Sequence, residues 1–260
     1  MVLEALTIGA VAQGALRTSA GPWIVVASFD SAIYLSDGGR VIAITARQVP
    51  PGPIYVTVDS DRLFAKDGEV LICHDGHLLL GQYSISLSSA HVWQGRLPDP
   101  DRLIARRAMI MDALGPVAGR SALAAAPYAR PAAQAMGWLQ QRNFAELTRC
   151  ILGLGPGLTP AGDDALAGLL VSAAAGGKLF DGGWLVDPQT ARRTSLISLA
   201  FVRCAAAGQA IAPVHDVLMA GAAGEATACR AACAELGTVG ATSGADIAFG
   251  MRAGLGTLEG

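Results

Sequence analysis

The chain has 260 residues, of which 52% are hydrophobic and 15% charged, with a formal net charge of -2. That hydrophobic share excludes a disordered chain, and the absence of a basic excess argues against an electrostatic nucleic-acid binder. No uninterrupted apolar run of about 18 residues occurs, so no transmembrane helix is expected, and the length suits one large domain or two small ones.

In chain order, the first 21 residues are apolar, lack a basic leader region and carry Glu4. They read as a first helix packed on the body rather than a signal peptide. Residues 23–93 read as strands. WIVVASFDSAIYL and RVIAIT are rich in Val and Ile and are separated by the turn signal Ser36-Asp37-Gly38-Gly39. Ile54–Val58 is a further strand, and Asp75-Gly76 joins two apolar runs as a two-residue hairpin. Pro98 and Pro100 mark a boundary, after which the period becomes helical.

Helices are expected from Asp101 to about Leu114, from Pro131 to about Leu152, and at about 162–175, 189–207, 213–236 and 243–255, with stops at Gly208 and Gly237. Ala occurs 11 times in residues 1–100 and 38 times in residues 101–260, which suits closely packed helices. The expected class is α+β: an antiparallel β module over 1–97, then an Ala/Gly-rich helical module over 98–260 that carries the ligand site. Five scattered cysteines with no CxxC pair suit reduced thiols and a cytoplasmic location; Cys229 and Cys233 should share a helix face.

Three segments could carry chemistry. In Gly153-Leu154-Gly155-Pro156-Gly157-Leu158-Thr159-Pro160-Ala161-Gly162-Asp163-Asp164, alternating glycines feed a helix start whose N–H groups and dipole favour anions. Thr159-Pro160 reads as an N-cap followed by Pro at the first helical position. The run is neither a Walker loop nor a dinucleotide fingerprint. The paired carboxylates Asp163 and Asp164 would repel a bare phosphate. They fit better against a cation or the amide N–H groups of a substrate.

The second segment is Gly240-Ala241-Thr242-Ser243-Gly244-Ala245-Asp246, where Ser243 and Asp246 have capping-box spacing. Aligning Asp246 with Asp164 pairs Gly244 with Gly162 and Gly250 with Gly168, so both segments read Gly-x-Asp-x-x-x-Gly at a helix start. Two such starts could converge on one ligand. The third segment, Arg192–Ser198, offers Arg side chains and hydroxyls to an anion. The candidate ligand contacts are Gly155, Gly157, Thr159, Gly162, Thr194, Ser195, Thr242, Ser243 and Gly244. His74 and His77 flank the hairpin turn and read as surface residues.

GLGPGLTPAGDDALAG, TSLIS, GATSGADIAFG and the β-rich start SFDSAIYL–RVIAIT–GPIYV together resemble a family long described only as a domain of unknown function. It includes the small subunit of oxamate carbamoyltransferase from anaerobic allantoin degradation. The resemblance implies a subunit of a carbamoyl-transferring enzyme, exchanging carbamoyl phosphate and oxamate with oxalurate and phosphate alongside partner subunits. Asp163, Asp164 and Asp246 would then be the catalytic carboxylates, orienting an amide or holding Mg²⁺. The expected partners are a small anionic or amide-containing metabolite and other enzyme subunits, in an oligomer, with no nucleic acid and no membrane. Where the family often has Gly-His before TSGAD, this chain has Gly240-Ala241. The alternatives are a non-catalytic ligand-binding or regulatory subunit, and a metal-dependent hydrolase using the Asp cluster.

Overall fold

The structure, a computed structural model, describes residues 1–19, 21–178 and 188–258. The chain is mixed α+β and divides into two compact units, Met1–Gly95 and Arg96–Gly260.

The first unit opens with strand β1 (Val2–Gly9) and helix α1 (Ala10–Thr18), where a helix alone was expected. The reason is a period of two in the first residues: Leu3 and Ala5 are buried while Val2, Glu4 and Leu6 face solvent. Strands β2 (Trp23–Phe29), β3 (Ala32–Ser36), β4 (Val41–Thr45), β5 (Tyr55–Val58), β6 (Val70–His74), β7 (His77–Leu80), β8 (Tyr83–Ser86) and β9 (His91–Trp93) follow. Their order is β5-β4-β3-β2-β6-β7-β8-β1-β9, and β1 also pairs with β5. That last pairing closes β1 to β8 into a barrel-like ring, with β9 left as a short edge strand on β1.

Hairpin neighbours are antiparallel as expected, but β1–β8, β1–β9 and β4–β5 are parallel, so the sheet is mixed. Two of these parallel contacts join β1 to strands distant in sequence, and the third joins consecutive strands through a crossover; turn signals report neither. The ring is filled by Trp23, Ile33, Leu35, Ile42, Ile44, Val56, Leu71, Leu78 and Ile85. Asp75 and Gly76 both have positive φ, as a type I′ turn requires, and His74 pairs with His77 across it.

The second unit is helical. Helix α2 (Pro100–Ala118) is capped by Asp99, whose side chain accepts the Arg102 N–H at 3.0 Å. A single 3₁₀ turn (Ala122–Ala124) follows, then α3 (Ala129–Gln140), α4 (Phe144–Ile151), α5 (Ala161–Ala175), α6 (Pro188–Ala191), α7 (Leu196–Ala206), α8 (Ala212–Ala223), α9 (Ala226–Leu236) and α10 (Ser243–Gly256). Three expected long helices are each interrupted. Arg142 takes φ +57 between α3 and α4; Ser195 is an extended N-cap ahead of α7; Gly224 takes φ +78 between α8 and α9. Helix α5 is apolar and buried on nearly every side, so it is the central rod of this unit. Among the described residues, no helix is long and apolar enough to cross a membrane. Cys229 and Cys233 are both buried and interact on one face of α9, as their spacing implied.

Candidate functional site

The site is built from two similar helix starts. Helix α4 ends at Ile151 and α9 at Leu236. Three residues later, Leu154 and Val239 donate their N–H groups back to those carbonyls, at 3.0 and 3.1 Å. The carbonyls of Leu154 and Val239 then accept the N–H groups of Gly162 and Gly244, at 2.8 and 2.9 Å. A Cβ on Gly162 would stand 1.9 Å from the Ile151 oxygen, and one on Gly244 would stand 1.8 Å from the Leu236 oxygen. Gly155 and Gly240 occupy matching places in the two loops, each with positive φ. The repeat read from Gly-x-Asp-x-x-x-Gly is therefore a repeated local structure: helix, turn, glycine against the previous helix end, new helix.

The two new helices, α5 and α10, run parallel in contact. A Cβ on Gly168 would stand 2.1 Å from the Ile247 oxygen, and one on Gly250 would stand 1.7 Å from the Ala165 oxygen. Their N-termini therefore lie at the same end of the unit. Two dipoles side by side concentrate positive potential there, and Asp163, Asp164 and Asp246 answer it from the first turns.

The three carboxyls have different surroundings. Asp163 is buried and fully used. One oxygen accepts the Gly153 N–H at 2.5 Å; the other accepts the hydroxyls of Ser198, at 2.6 Å, and Thr194. Burial raises its pKa, and these donors work against that rise. Asp246 is completely buried. Its Oδ1 accepts the Ser121 hydroxyl at 2.6 Å and the Ala122 N–H at 2.9 Å, while its Oδ2 has no hydrogen-bond partner. Burial raises its pKa too. The Oδ2 of Asp164 is likewise buried without a partner. Desolvation, with the negative charges of Asp246 and Asp163 adding to it, pushes the Asp164 carboxyl up to about 8 against the hydroxyls of Ser243 and Thr159.

Several expected contacts have other duties. Helix α5 begins at Ala161 with Pro160 as its N-cap, one residue after the start that a Thr159 cap implies, so Thr159 does not cap it; its Oγ1 lies 3.4 Å from Ser243 Oγ. Ser243 is the first residue of α10 rather than its cap, which is Thr242, and Asp246 turns to Ser121 instead of closing a capping box. Thr194 donates to Asp163. Ser195 donates to the Leu158 carbonyl at 2.6 Å and caps α7 through the Ser198 N–H at 2.9 Å. Both hydroxyls thus hold the loop to α7, and Arg193 donates to the Arg149 carbonyl at 2.5 Å. Gly155 and Gly157 supply φ values of +116 and +97. Ser198, expected to donate to an anion, donates to Asp163 instead, and Ser121 escaped the sequence reading because it lies far along the chain from the Asp246 it serves.

The expected Mg²⁺ cage of Asp163, Asp164 and Asp246 does not assemble. Among the described residues, no group of three or more His, Cys, Asp or Glu side chains is placed to hold a metal. Asp163 and Asp164 diverge by about 100° around their helix, and Asp163 is consumed by its three donors. Among the described residues, these three carboxyls therefore do not offer the three-carboxylate donor set that the metal-hydrolase reading expected.

A cleft of about 830 Å³ lies elsewhere in this unit, at the other ends of α5 and α10, where Arg142, Lys178 and Arg252 help to line it. None of the expected site residues lines it. Cations there complement the negative ends of the paired dipoles, and Lys178 donates to the Thr257 carbonyl at the end of α10.

The glycine loop, both helix starts and α7 fall within residues 151–255, and that stretch matches the family model described as oxamate carbamoyltransferase subunit AllH. Residues 151–255 are similar to the AllH family. No curated protein and no solved structure matches the chain significantly. The AllH match spans both aspartate helix starts and stops one residue short of the end of α10. It leaves the β-rich unit outside.

Proposed function

We propose that the chain is a subunit of an oxamate carbamoyltransferase-like enzyme, and that its helical unit binds a small, amide-bearing anion at the paired starts of α5 and α10. One observation carries the placement: the two aspartate helix starts, both inside the AllH-matched segment, converge, with Asp164 in the field of Asp246 and the hydroxyl of Ser243. The reaction joins the oxamate nitrogen to the carbamoyl carbon as the bond from that carbon to the phosphate oxygen breaks. The nitrogen loses a proton and phosphate leaves.

The chain's own contribution is positioning. Asp163 fixes Gly153, Thr194 and Ser198, and through them the glycine loop, so it acts as a positioning residue. The N–H groups of Gly162 and Gly244 are already committed to backbone carbonyls. The positive helix ends therefore favour an anion mainly through their field, while the carboxyl oxygens accept N–H groups. A non-catalytic binding subunit remains the second reading, because the family description names a subunit.

The test is oxamate-dependent phosphate release from carbamoyl phosphate by the complex that co-purifies with the full chain. Asp164→Asn should reduce turnover at least tenfold. Absence of oxamate-dependent release from the assembled complex overturns the reading. Unchanged turnover in the variant, with bound ligand, favours the non-catalytic alternative.

A further inference from the structure

The cleft at the far ends of α5 and α10 carries more positive charge than those helix ends require. A helix C-terminus is worth about half a negative charge, so the two together present about one. Lys178 alone answers that, since its ammonium donates to the Thr257 carbonyl at the end of α10. Arg142 and Arg252 add two further cations, and none of the described residues that line the cleft is acidic. Arg252 stands exposed on α10. Arg142 closes α3 in a left-handed turn, at φ +57: its N–H donates to the Leu139 carbonyl and the Asn143 N–H to the Trp138 carbonyl, both at 2.9 Å. Glycine is the usual residue at that place, so a long cationic side chain is held at the cleft against the preference of its own backbone.

Met136, Leu139 and Phe144, from α3 and α4, add apolar surface to the same cleft. Its volume of about 830 Å³ suits a drug-sized organic molecule, and a lone inorganic ion would leave most of it to water. We infer that this cleft is a second binding site, for a nucleotide-sized organic phosphate whose phosphates lie on Arg142, Lys178 and Arg252 and whose ring lies against Met136, Leu139 and Phe144. Arginine pairs phosphate oxygens bidentately, and a base stacks on aromatic and apolar side chains. The site is separate from the aspartate helix starts. The last residues of α5 and α10, Ala175 and Gly256, lie 11 and 10 residues beyond Asp164 and Asp246, about 15 Å at the helical rise per residue. Carbamoyl phosphate and oxamate have no apolar body to fill the cleft. The inference therefore goes beyond the proposed function and stands whether or not the helix starts bind a substrate.

The experiment is calorimetric titration of the full chain with adenosine 5′-diphosphate as the probe, beside adenosine and inorganic phosphate, each of which carries one half of its chemistry. The expected result is diphosphate binding at least about tenfold tighter than that of either half, since both the charged and the apolar parts of the cleft are then used. Arg252→Glu reverses an exposed charge, so the folded circular-dichroism spectrum should be retained while diphosphate affinity falls at least about tenfold. Met136→Ala, at a half-buried position, should weaken the diphosphate several-fold and leave inorganic phosphate unchanged. Excess carbamoyl phosphate and oxamate should leave the bound diphosphate in place.

Absence of diphosphate binding, or an affinity unmoved by Arg252→Glu, overturns the inference and leaves the proposed function standing. Binding no tighter than that of inorganic phosphate reduces the cleft to an ion site and overturns it too. Displacement of the diphosphate by carbamoyl phosphate or oxamate would make the cleft the place where those compounds bind, which overturns both the separate site and the placement of the ligand at the aspartate helix starts.

Discussion

Gly250 on α10 meets Ala165 on α5 backbone to backbone: a Cβ at Gly250 would stand 1.7 Å from the Ala165 carbonyl oxygen. The reciprocal contact at Gly168 and Ile247 makes the crossing nearly two-fold. The separation of Asp164 from Asp246 is set by this approach, because each Asp lies one turn before the glycine on its own helix.

Gly250→Ala is therefore expected to destabilise the helical unit by about 2–3 kcal/mol, since forced separation of packed backbones outweighs the gain of up to about 1 kcal/mol from replacing a helical glycine. Denaturant unfolding measures it. A neutral or stabilising result would show that the helices are not held in contact here.

Asp163→Asn should act on the loop. Asn offers one acceptor oxygen where Gly153, Thr194 and Ser198 need two, and its NH₂ opposes their donors. Each hydrogen bond to a charged acceptor contributes about 1.5–3 kcal/mol. Limited proteolysis should then cut within 153–159 faster than in the native chain, and Thr194→Val should give a milder version. Loop cleavage at the native rate would mean that Asp163 does not hold it.

The pH dependence follows from Asp164. Its carboxyl has an ordinary value of 3.8 and is pushed up to about 8 in the folded chain. Between these values the folded state holds a proton that the unfolded state has lost. The contribution to stability is fully present below about pH 4 and is lost as pH rises toward 8. Asp164→Asn removes this slope, so its melting temperature should exceed that of the native chain by several degrees at pH 8 and by less at pH 5. A difference independent of pH would contradict a neutral Asp164.

His215 works in the opposite direction. It is buried, its Nε2 accepts the Ala210 N–H at 3.1 Å, and its Nδ1 lies 3.1 Å from the Arg96 carbonyl. That pattern suits the neutral ring with its proton on Nδ1, and burial lowers its pKa below 6.5. As pH falls below 6.5 the unfolded chain takes up a proton that the folded one resists, so stability falls. His215→Gln should flatten this acid limb. The same melting curves at pH 5 and 6.5 check it, and an unchanged limb would assign it to other groups.

Much of the fold was legible because it is written in local periodicity. The alternation in 23–93 and the helical period after residue 100 need only neighbours in sequence, as does the positive φ of Asp75-Gly76. The repeated Gly-x-Asp-x-x-x-Gly also pointed correctly to two related helix starts, because glycine spacing of one turn marks the face that another helix touches.

Tertiary structure decided the rest. The leading segment became a strand because β5, β8 and β9 offered partners, and the sheet closed through the antiparallel pairing of β1 with the distant β5, with β8 and β9 parallel to β1. The three aspartates look alike in sequence but differ in place. Thr194 and Ser198 arrive on a later segment to satisfy Asp163, Ser121 arrives from before α3 to take one oxygen of Asp246, and Asp164 keeps a bare oxygen. Residue type and spacing determined that carboxylates stand at the two helix starts. Only the folded chain decided which oxygens have partners, because satisfying a buried acceptor depends on donors that the sequence places dozens of residues away.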